Sequence, residues 1–238
     1  MMLSNTQHIK SLKISKGDRI LDVGGSMKQH TDIQIDTLVD IIRPEESKYN
    51  RSKLRAKHFV KCDFVKEKLP FKDKEFDVCL CTHVLEDLYD PFPLINEMSR
   101  VAKRGYIATP SMGKDIEYTK INFSDWKTGA RRLPGTSHHK WLFYMKDGKM
   151  VVLPKNYPLL YSSDFHVSKW LGEEEFRYFW KGKIEYVEKT DIDFKKLINE
   201  YRIWFRNNKK YIKKSPVLLY LDNPFNIVKE YLKLLIKK

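Results

Sequence analysis

The run Asp22-Val23-Gly24-Gly25-Ser26 closes an apolar stretch that begins at Arg19. Two glycines after a buried strand let the backbone approach a ligand where a Cβ would collide. Acidic residues stand where two further strands are expected to end. Asp36 follows Ile33-Gln34-Ile35, and Asp63 follows His58 to Cys62 and precedes Phe64. An ionised carboxylate only accepts hydrogen bonds, so Asp36 can take both hydroxyls of a ribose. Asp63 can accept from the exocyclic amine of an adenine, with Phe64 packed near the ring. Thr82-His83 follows a fourth apolar run, and His138-His139 follows Pro134-Gly135. Histidine is substantially neutral near pH 7, so it can take a proton there. Taken singly, each feature also reads as ordinary structure: a tight turn, an acid at a strand end, a histidine packed on Trp141. Their order along the chain is what gives them weight together.

That order implies a sheet whose carboxyl edge collects them. Short apolar runs at 19–24, 33–36, 58–63, 76–81 and 105–110 read as strands, and Pro91 to Ala102 has helical spacing with Leu94, Ile95, Met98 and Val101 on one side. Strands alternating with helices predict an α/β fold, a Rossmann-like, doubly wound and mostly parallel sheet. Ligands bind at the carboxyl edge of such sheets. Residues 4–14 read as a short helix. Beyond Pro110 the pattern changes. Ser111 to Thr136 reads as a polar lid, and Trp141–Met145 with Lys149–Leu153 as a hairpin through Asp147-Gly148. Arg177 to Val187 reads as a strand pair around Gly182, and 193–207 and 226–236 as helices. The expected division is a core over 1–111, then a lid, cap and sheet-completing elements over 112–238, in one continuous domain.

The run Leu69-Pro70-Phe71, continuing through Phe76-Asp77-Val78 to Val84-Leu85-Glu86-Asp87, together with Arg104 to Ser111, resembles the small-molecule class I methyltransferases of the "type 11" kind. The resemblance covers about 95 residues. It implies a methyltransferase that uses S-adenosylmethionine and releases S-adenosylhomocysteine. Carried over residue by residue, Asp22, Gly24, Gly25 and Ser26 flank the methionine moiety, Asp36 holds the ribose, and Asp63 and Phe64 hold the adenine. Thr82 and His83 line the methionine and methyl side. The chain departs from the family's pattern in three places. Asp87 stands where histidine is common, Ser26-Met27-Lys28 replaces the third glycine, and about seven residues separate Gly25 from the expected second strand. A helical crossover needs about ten to twelve residues or more, so the first helix should be reduced or lost. His139-Lys140-Trp141 resembles a His-x-Trp found after the fifth strand in some members. His139 is the first candidate for a catalytic base, with His83 and His138 behind it.

The acceptor is not legible; the resemblance favours a small molecule or a glycan, methylated on oxygen or nitrogen. The formal net charge of +14 keeps an RNA acceptor open, and 15 basic against 7 acidic residues lie from Lys181 onward. A relative that binds the cofactor without catalysis is a further alternative. A nicotinamide enzyme ranks last, because the third glycine and following helix that would seat a pyrophosphate are missing. Cys62, Cys79 and Cys81 sit in apolar runs without zinc-ligand spacing, and no metal is expected. No stretch is apolar enough to span a membrane, though 226–236 could form an amphipathic helix at a membrane surface. A cytoplasmic location is expected, since the first residues lack a signal segment. The sequence leaves the oligomeric state open.

Overall fold

The computed structural model describes residues 9–48, 51–118, 135–156, 162–190 and 193–214. The proposed helix at 226–236 and most of the 111–136 lid lie outside them, as does the start of the N-terminal helix.

Five strands alternate along the first part of the chain: β1 (Ile20–Val23), β2 (Thr37–Asp40), β3 (His58–Lys61), β4 (Phe76–Thr82) and β5 (Ala102–Pro110). With β9 (Glu175–Lys181) they form one sheet in the order β3-β2-β1-β4-β5-β9. The first five strands run parallel, and β9 lies antiparallel on β5, with Tyr106 opposite Phe179. The architecture is the expected α/β, mostly parallel sheet. The order reverses between β1 and β4, and a sheet of this kind opens its binding crevice at such a switch point.

The central strands are buried on both faces, which explains their near-continuous apolar composition. On one face Leu94, Ile95, Met98 and Val101 of α1 (Phe92–Val101) are buried, at the helical spacing read from the sequence. On the other, Ile20, Val78, Leu80, Tyr106 and Ala108 pack with Ile9, Leu12 and Ile35. A helix would ordinarily cover part of this second face. Here the crossover from β1 to β2 contains only a single 3-10 turn, Gly25–Met27, and is otherwise irregular. The expected loss of the first helix is therefore seen.

The chain divides into two compact units. The first is Met1–Pro110 with Phe143–Leu153 and Glu175–Glu188; the second is Ser111–Leu142, Pro154–Glu174 and Lys189–Lys238. Two later segments thus return to the sheet-bearing unit. One is the pair β6 (Trp141–Lys146) and β7 (Lys149–Pro154), joined by Asp147-Gly148 with φ of 51° and 75°. Positive φ at both positions is the two-residue turn that matches strand twist. The other holds β9 and β10 (Tyr186–Glu188). The sequence reading paired these two around Gly182. The chain does turn there, with Gly182 at φ 77°, but β10 continues into parallel pairing with β7 while β9 completes the main sheet.

The second unit contains α2 (Met112–Asp115), the two-stranded piece β8 (Lys169–Trp170) with β11 (Ile212–Lys213), and α3 (Phe194–Asn207). Asp193 caps α3 by accepting from Lys195 N and Lys196 N. The helix buries Leu197, Tyr201 and Trp204; Trp204 stacks on Trp170 with ring centres 5.5 Å apart.

Candidate cofactor and acceptor residues

At the carboxyl end of β1, Gly24 takes φ 75° and donates its N–H to Val39 O at 2.9 Å. A Cβ on Gly24 would lie 2.4 Å from Val84 Cγ2, and one on Gly25 would lie 2.0 Å from Asp22 Oδ2. Both positions therefore require glycine, the first for conformation as well as space. The atoms that exclude a Cβ at these two positions belong to the chain's own side chains, Val84 and Asp22.

Asp22 is 1% exposed, and its Oδ1 has no hydrogen-bond partner among the described residues. Burial, reinforced by the charge of Asp40, pushes its carboxyl up to about 7. His30 Nε2 lies 3.9 Å from that oxygen and also lacks a partner. Such a separation is too long for a hydrogen bond. Burial pushes His30 down to about 4, so the ring is uncharged near neutrality and the contact is not a salt bridge. An orphaned buried acceptor beside a glycine turn is the kind of feature a bound polar group would satisfy. Both residues line a cleft of about 470 Å³ against Gln29, Leu38 and Arg55.

The expected ribose residue needs correction. Asp36 precedes β2 instead of ending it. Its Oδ2 accepts from Ile20 N at 2.8 Å and its Oδ1 pairs with Lys57 Nζ at 2.6 Å, so it lies at the sheet's amino edge. The acid at the carboxyl end of β2 is Asp40, which is 8% exposed. Its Oδ2 accepts from Ser26 N at 3.0 Å, and its Oδ1 accepts from Ile41 N at 2.6 Å. Ser26 also donates its hydroxyl to Ile42 O at 2.6 Å. The glycine turn and the end of β2 are thereby tied together. The segment Thr37-Leu38-Val39-Asp40 has the same apolar-then-acid pattern as 33–36, and crossover length could have decided between them. Starting β2 at Thr37 leaves residues 26–36 for the crossover, which meets the ten-residue minimum that the earlier start violates.

Asp63 follows β3 at the carboxyl edge. Its hydrogen bond from Lys66, at 2.9 Å, holds the carboxyl below its ordinary value. Phe64 is half-buried and lines a cleft of about 390 Å³ with Leu69, Leu94 and Glu97. Thr82 ends β4, and His83 follows at φ 55°, with its N–H on Ala108 O at 2.8 Å. The His83 ring sits between two carboxylates, Nε2 at 3.3 Å from Glu175 Oε1 and Nδ1 at 3.2 Å from Glu86 Oε1. The bonds to Glu175 and Glu86 raise it to about 9. His83 is therefore an imidazolium near neutral pH with both nitrogens engaged, and its candidacy as a proton acceptor does not survive the geometry.

The other two histidines belong to the second unit. His138 is exposed, with its ring edge-on to His139 at 4.8 Å. His139 Nδ1 lies 2.6 Å from Asp115 Oδ1, and Lys155 Nζ lies 3.1 Å from Asp115 Oδ2. Asp115 and Lys155 were not singled out from the sequence, since no local pattern joins positions 115, 139 and 155. The aromatic residues of the later part of the chain have packing roles where they are described. Trp170 stacks on Trp204, Phe176 and Trp180 are buried on β9, Phe179 covers Tyr106, and Tyr118 meets His166 at 4.3 Å.

Residues 28–108 match the family model described as "Methyltransferase domain". No curated protein matches. Three solved structures are similar at low identity. The YcgJ protein of Bacillus subtilis is 18% identical, over 44% of this chain and 50% of that one, with a TM-score of 0.33. An S-adenosylmethionine-dependent methyltransferase from Thermotoga maritima is 21% identical, over 46% and 52%, at 0.37. Another from Mesorhizobium loti is 13% identical, over 57% and 65%, at 0.38. The chain thus spans about half the length of the first two and 65% of the third. Superpositions this loose say nothing of substrate or residue roles. The strand order with its switch point and the match of residues 28–108 to the methyltransferase-domain model point the same way, to a Rossmann-like sheet similar to that of the methyltransferase domains.

Proposed function

We propose that the protein transfers a methyl group from S-adenosylmethionine to an oxygen or nitrogen of a small molecule or glycan. The observation that carries this is the joint between the first two strand ends. The glycine turn at 24–25, the orphaned Asp22 carboxylate and Asp40 converge there, tied through Ser26 N–H. In this reading Gly24 and Gly25 admit the methionine end of the cofactor and Asp22 offers its unpaired oxygen to a donor there. Asp40, in place of Asp36, accepts from the ribose hydroxyls. Asp63 and Phe64 keep the adenine role, and Thr82 stays on the methyl side, with His83 as a charged neighbour.

The cofactor supplies an electrophilic methyl on a sulfonium sulfur. The protein's own task is then to align the acceptor, exclude water and receive a proton. His139 is the residue we assign to that last task. A cytoplasmic location belongs to the same reading, supported by three free, buried cysteines. Among the described residues no helix is long and apolar enough to cross a membrane.

Incubation with methyl-labelled cofactor and a panel of sugars, glycans, phenols, amines and RNA tests the acceptor class. Label in a small molecule or glycan is expected. Label in RNA alone would favour the reading that the charge of +14 suggests. Cofactor binding without label in any acceptor would point to a non-catalytic relative.

A further inference from the structure

We propose that the amino edge of the main sheet is a docking surface for the backbone phosphates of a nucleic-acid strand. The proposal goes beyond the methyltransferase reading and does not depend on it, since no residue of the carboxyl edge takes part. Parallel strands bring their amino ends to one edge, and the antiparallel β9 adds its carboxyl end there. That edge is rich in cations. Lys57 precedes β3, Lys16 precedes β1, Lys103 and Arg104 lie near the start of β5, and Lys181 closes β9. Its acids are already paired: Asp36 with Lys57 at 2.6 Å, Asp77 with Lys103 at 2.8 Å and Asp18 with Arg104 at 2.5 Å. Lys13, Lys16, Lys181 and Lys183 are exposed and have no acidic partner among the described residues. Two clefts join along this row. One, of about 500 Å³, is lined by Lys13, Asp18, Asp77, Lys103, Arg104 and Lys181. The other, of about 560 Å³, shares Lys13 and Asp18 and continues past Lys16 to Lys57.

The cations are held in place by the fold. Arg104 and Lys181 stand directly opposite each other in the register of β5 and β9. Like charges so placed destabilise a sheet. Asp18 relieves Arg104, and an anion seated beside Lys181 would relieve the rest. Arg104 donates to Leu12 O as well as to Asp18, and Asp18 Oδ2 accepts from Ser15 N at 2.9 Å. Lys13 is thus presented on an anchored segment, at a left-handed φ of 48°. On the other side, Gly182 N donates to Lys103 O at 2.7 Å and Gly182 O accepts from Lys74 Nζ at 2.8 Å. These bonds fix the turn that carries Lys181 and Lys183.

Extent and surroundings narrow the partner. From β9 to β3 the edge crosses five gaps of about 4.8 Å, roughly 24 Å in all. One phosphate cannot fill such a row, whereas the repeated charges of a phosphodiester chain can. Attachment to a lipid surface grows with buried apolar area as well as charge. The exposed apolar side chains Met27, Ile41, Val65 and Tyr89 follow β1, β2, β3 and β4, at the opposite edge of the sheet. Lysine contacts to phosphate position a strand without reading its bases, so binding should be indifferent to sequence and steeply dependent on salt.

Fluorescence anisotropy of the full chain with an unstructured RNA of about 20 nucleotides, across a salt series, tests this. Each lysine that engages a phosphate of a single strand adds about 0.7 to the slope of log K against log salt. The variant Lys13→Gln/Lys181→Gln/Lys183→Gln should therefore flatten the slope by about 2 and weaken Kd by roughly 10²-fold at about 0.1 M salt. Its melting temperature and its affinity for S-adenosylhomocysteine should not change. Lys146→Gln/Lys149→Gln/Lys195→Gln removes the same charge from exposed positions away from this edge, and should leave the slope nearly as it is. Equal losses in the two variants overturn the proposal, because net charge alone would then account for binding. Absence of RNA binding by the wild type overturns it as well. Flotation with phosphatidylserine vesicles and titration with inorganic phosphate complete the test. Binding of either that the edge variant abolishes, with RNA affinity intact, would assign the edge to another ligand and overturn the proposal.

Discussion

Asp40→Ala and Asp36→Ala form a matched pair that separates the two acids at the ends of one strand. Asp40 stands at the carboxyl end of β2, and in the proposed complex its carboxylate accepts from two ribose hydroxyls. Hydrogen bonds to a charged group are worth about 1.5–3 kcal/mol each, so losing both costs roughly 3–6 kcal/mol. That corresponds to a weakening of Kd by about 10²- to 10⁴-fold. The same change orphans Ser26 N–H, now 3.0 Å from Asp40 Oδ2, and should lower stability by about 1–3 kcal/mol. Asp36→Ala loses a contact to Ile20 N and an ion pair with Lys57, whose side chain is 56% exposed. Its expected cost is about 1 kcal/mol of stability and no change in cofactor affinity. Calorimetry with S-adenosylhomocysteine, after a thermal melt confirms that each variant is folded, decides between them. Unchanged affinity in Asp40→Ala, or a large loss in Asp36→Ala, would refute the placement of the ribose.

Three further outcomes follow from the same edge. Gly25→Ala drives a methyl into the Asp22 carboxylate, so it should lower the melting temperature, with a cost of about 1–3 kcal/mol, and weaken cofactor binding as well. Asp22→Asn should gain stability relative to wild type as pH rises. The folded carboxyl is raised from 3.8 to about 7, so the wild type is penalised progressively across that window, by up to roughly 4 kcal/mol; a constant difference between pH 4 and 8 in denaturant unfolding would contradict this. His83 should titrate near 9 by ring NMR, and Glu175→Gln should lower its midpoint. Because the folded value is raised, the stability His83 contributes is present below its ordinary value of 6.5 and is lost as pH rises through about 9.

The parallel sheet and its crowded carboxyl edge are legible because buried parallel strands announce themselves as apolar runs, and because glycines and acids recur in order where those runs end. The α1 face at Leu94, Ile95, Met98 and Val101 was legible by period alone. Register was harder. Ile33–Asp36 and Thr37–Asp40 both present apolar residues before an acid, and the pairing Asp22↔Leu38 is what places the second at the edge. Strand partners at long range were not legible either. Nothing local shows that β9 and β10, separated by Gly182, enter different sheets. The His139–Asp115–Lys155 arrangement depends on contacts spanning 24 and 40 positions, which only the folded chain supplies. The partner that decides the state of His83, Glu175, lies 92 positions away. Residue type alone suggested a base, and two carboxylates make it a cation.

Titration calorimetry of the whole chain with S-adenosylmethionine, S-adenosylhomocysteine and NAD asks which ligand the carboxyl edge binds. Binding of the first two, abolished or strongly weakened in Asp40→Ala, and no heat with NAD is the predicted result. Heat with NAD and none with either adenosyl compound would mean that the edge built from Gly24, Asp22 and Asp40 serves a different ligand.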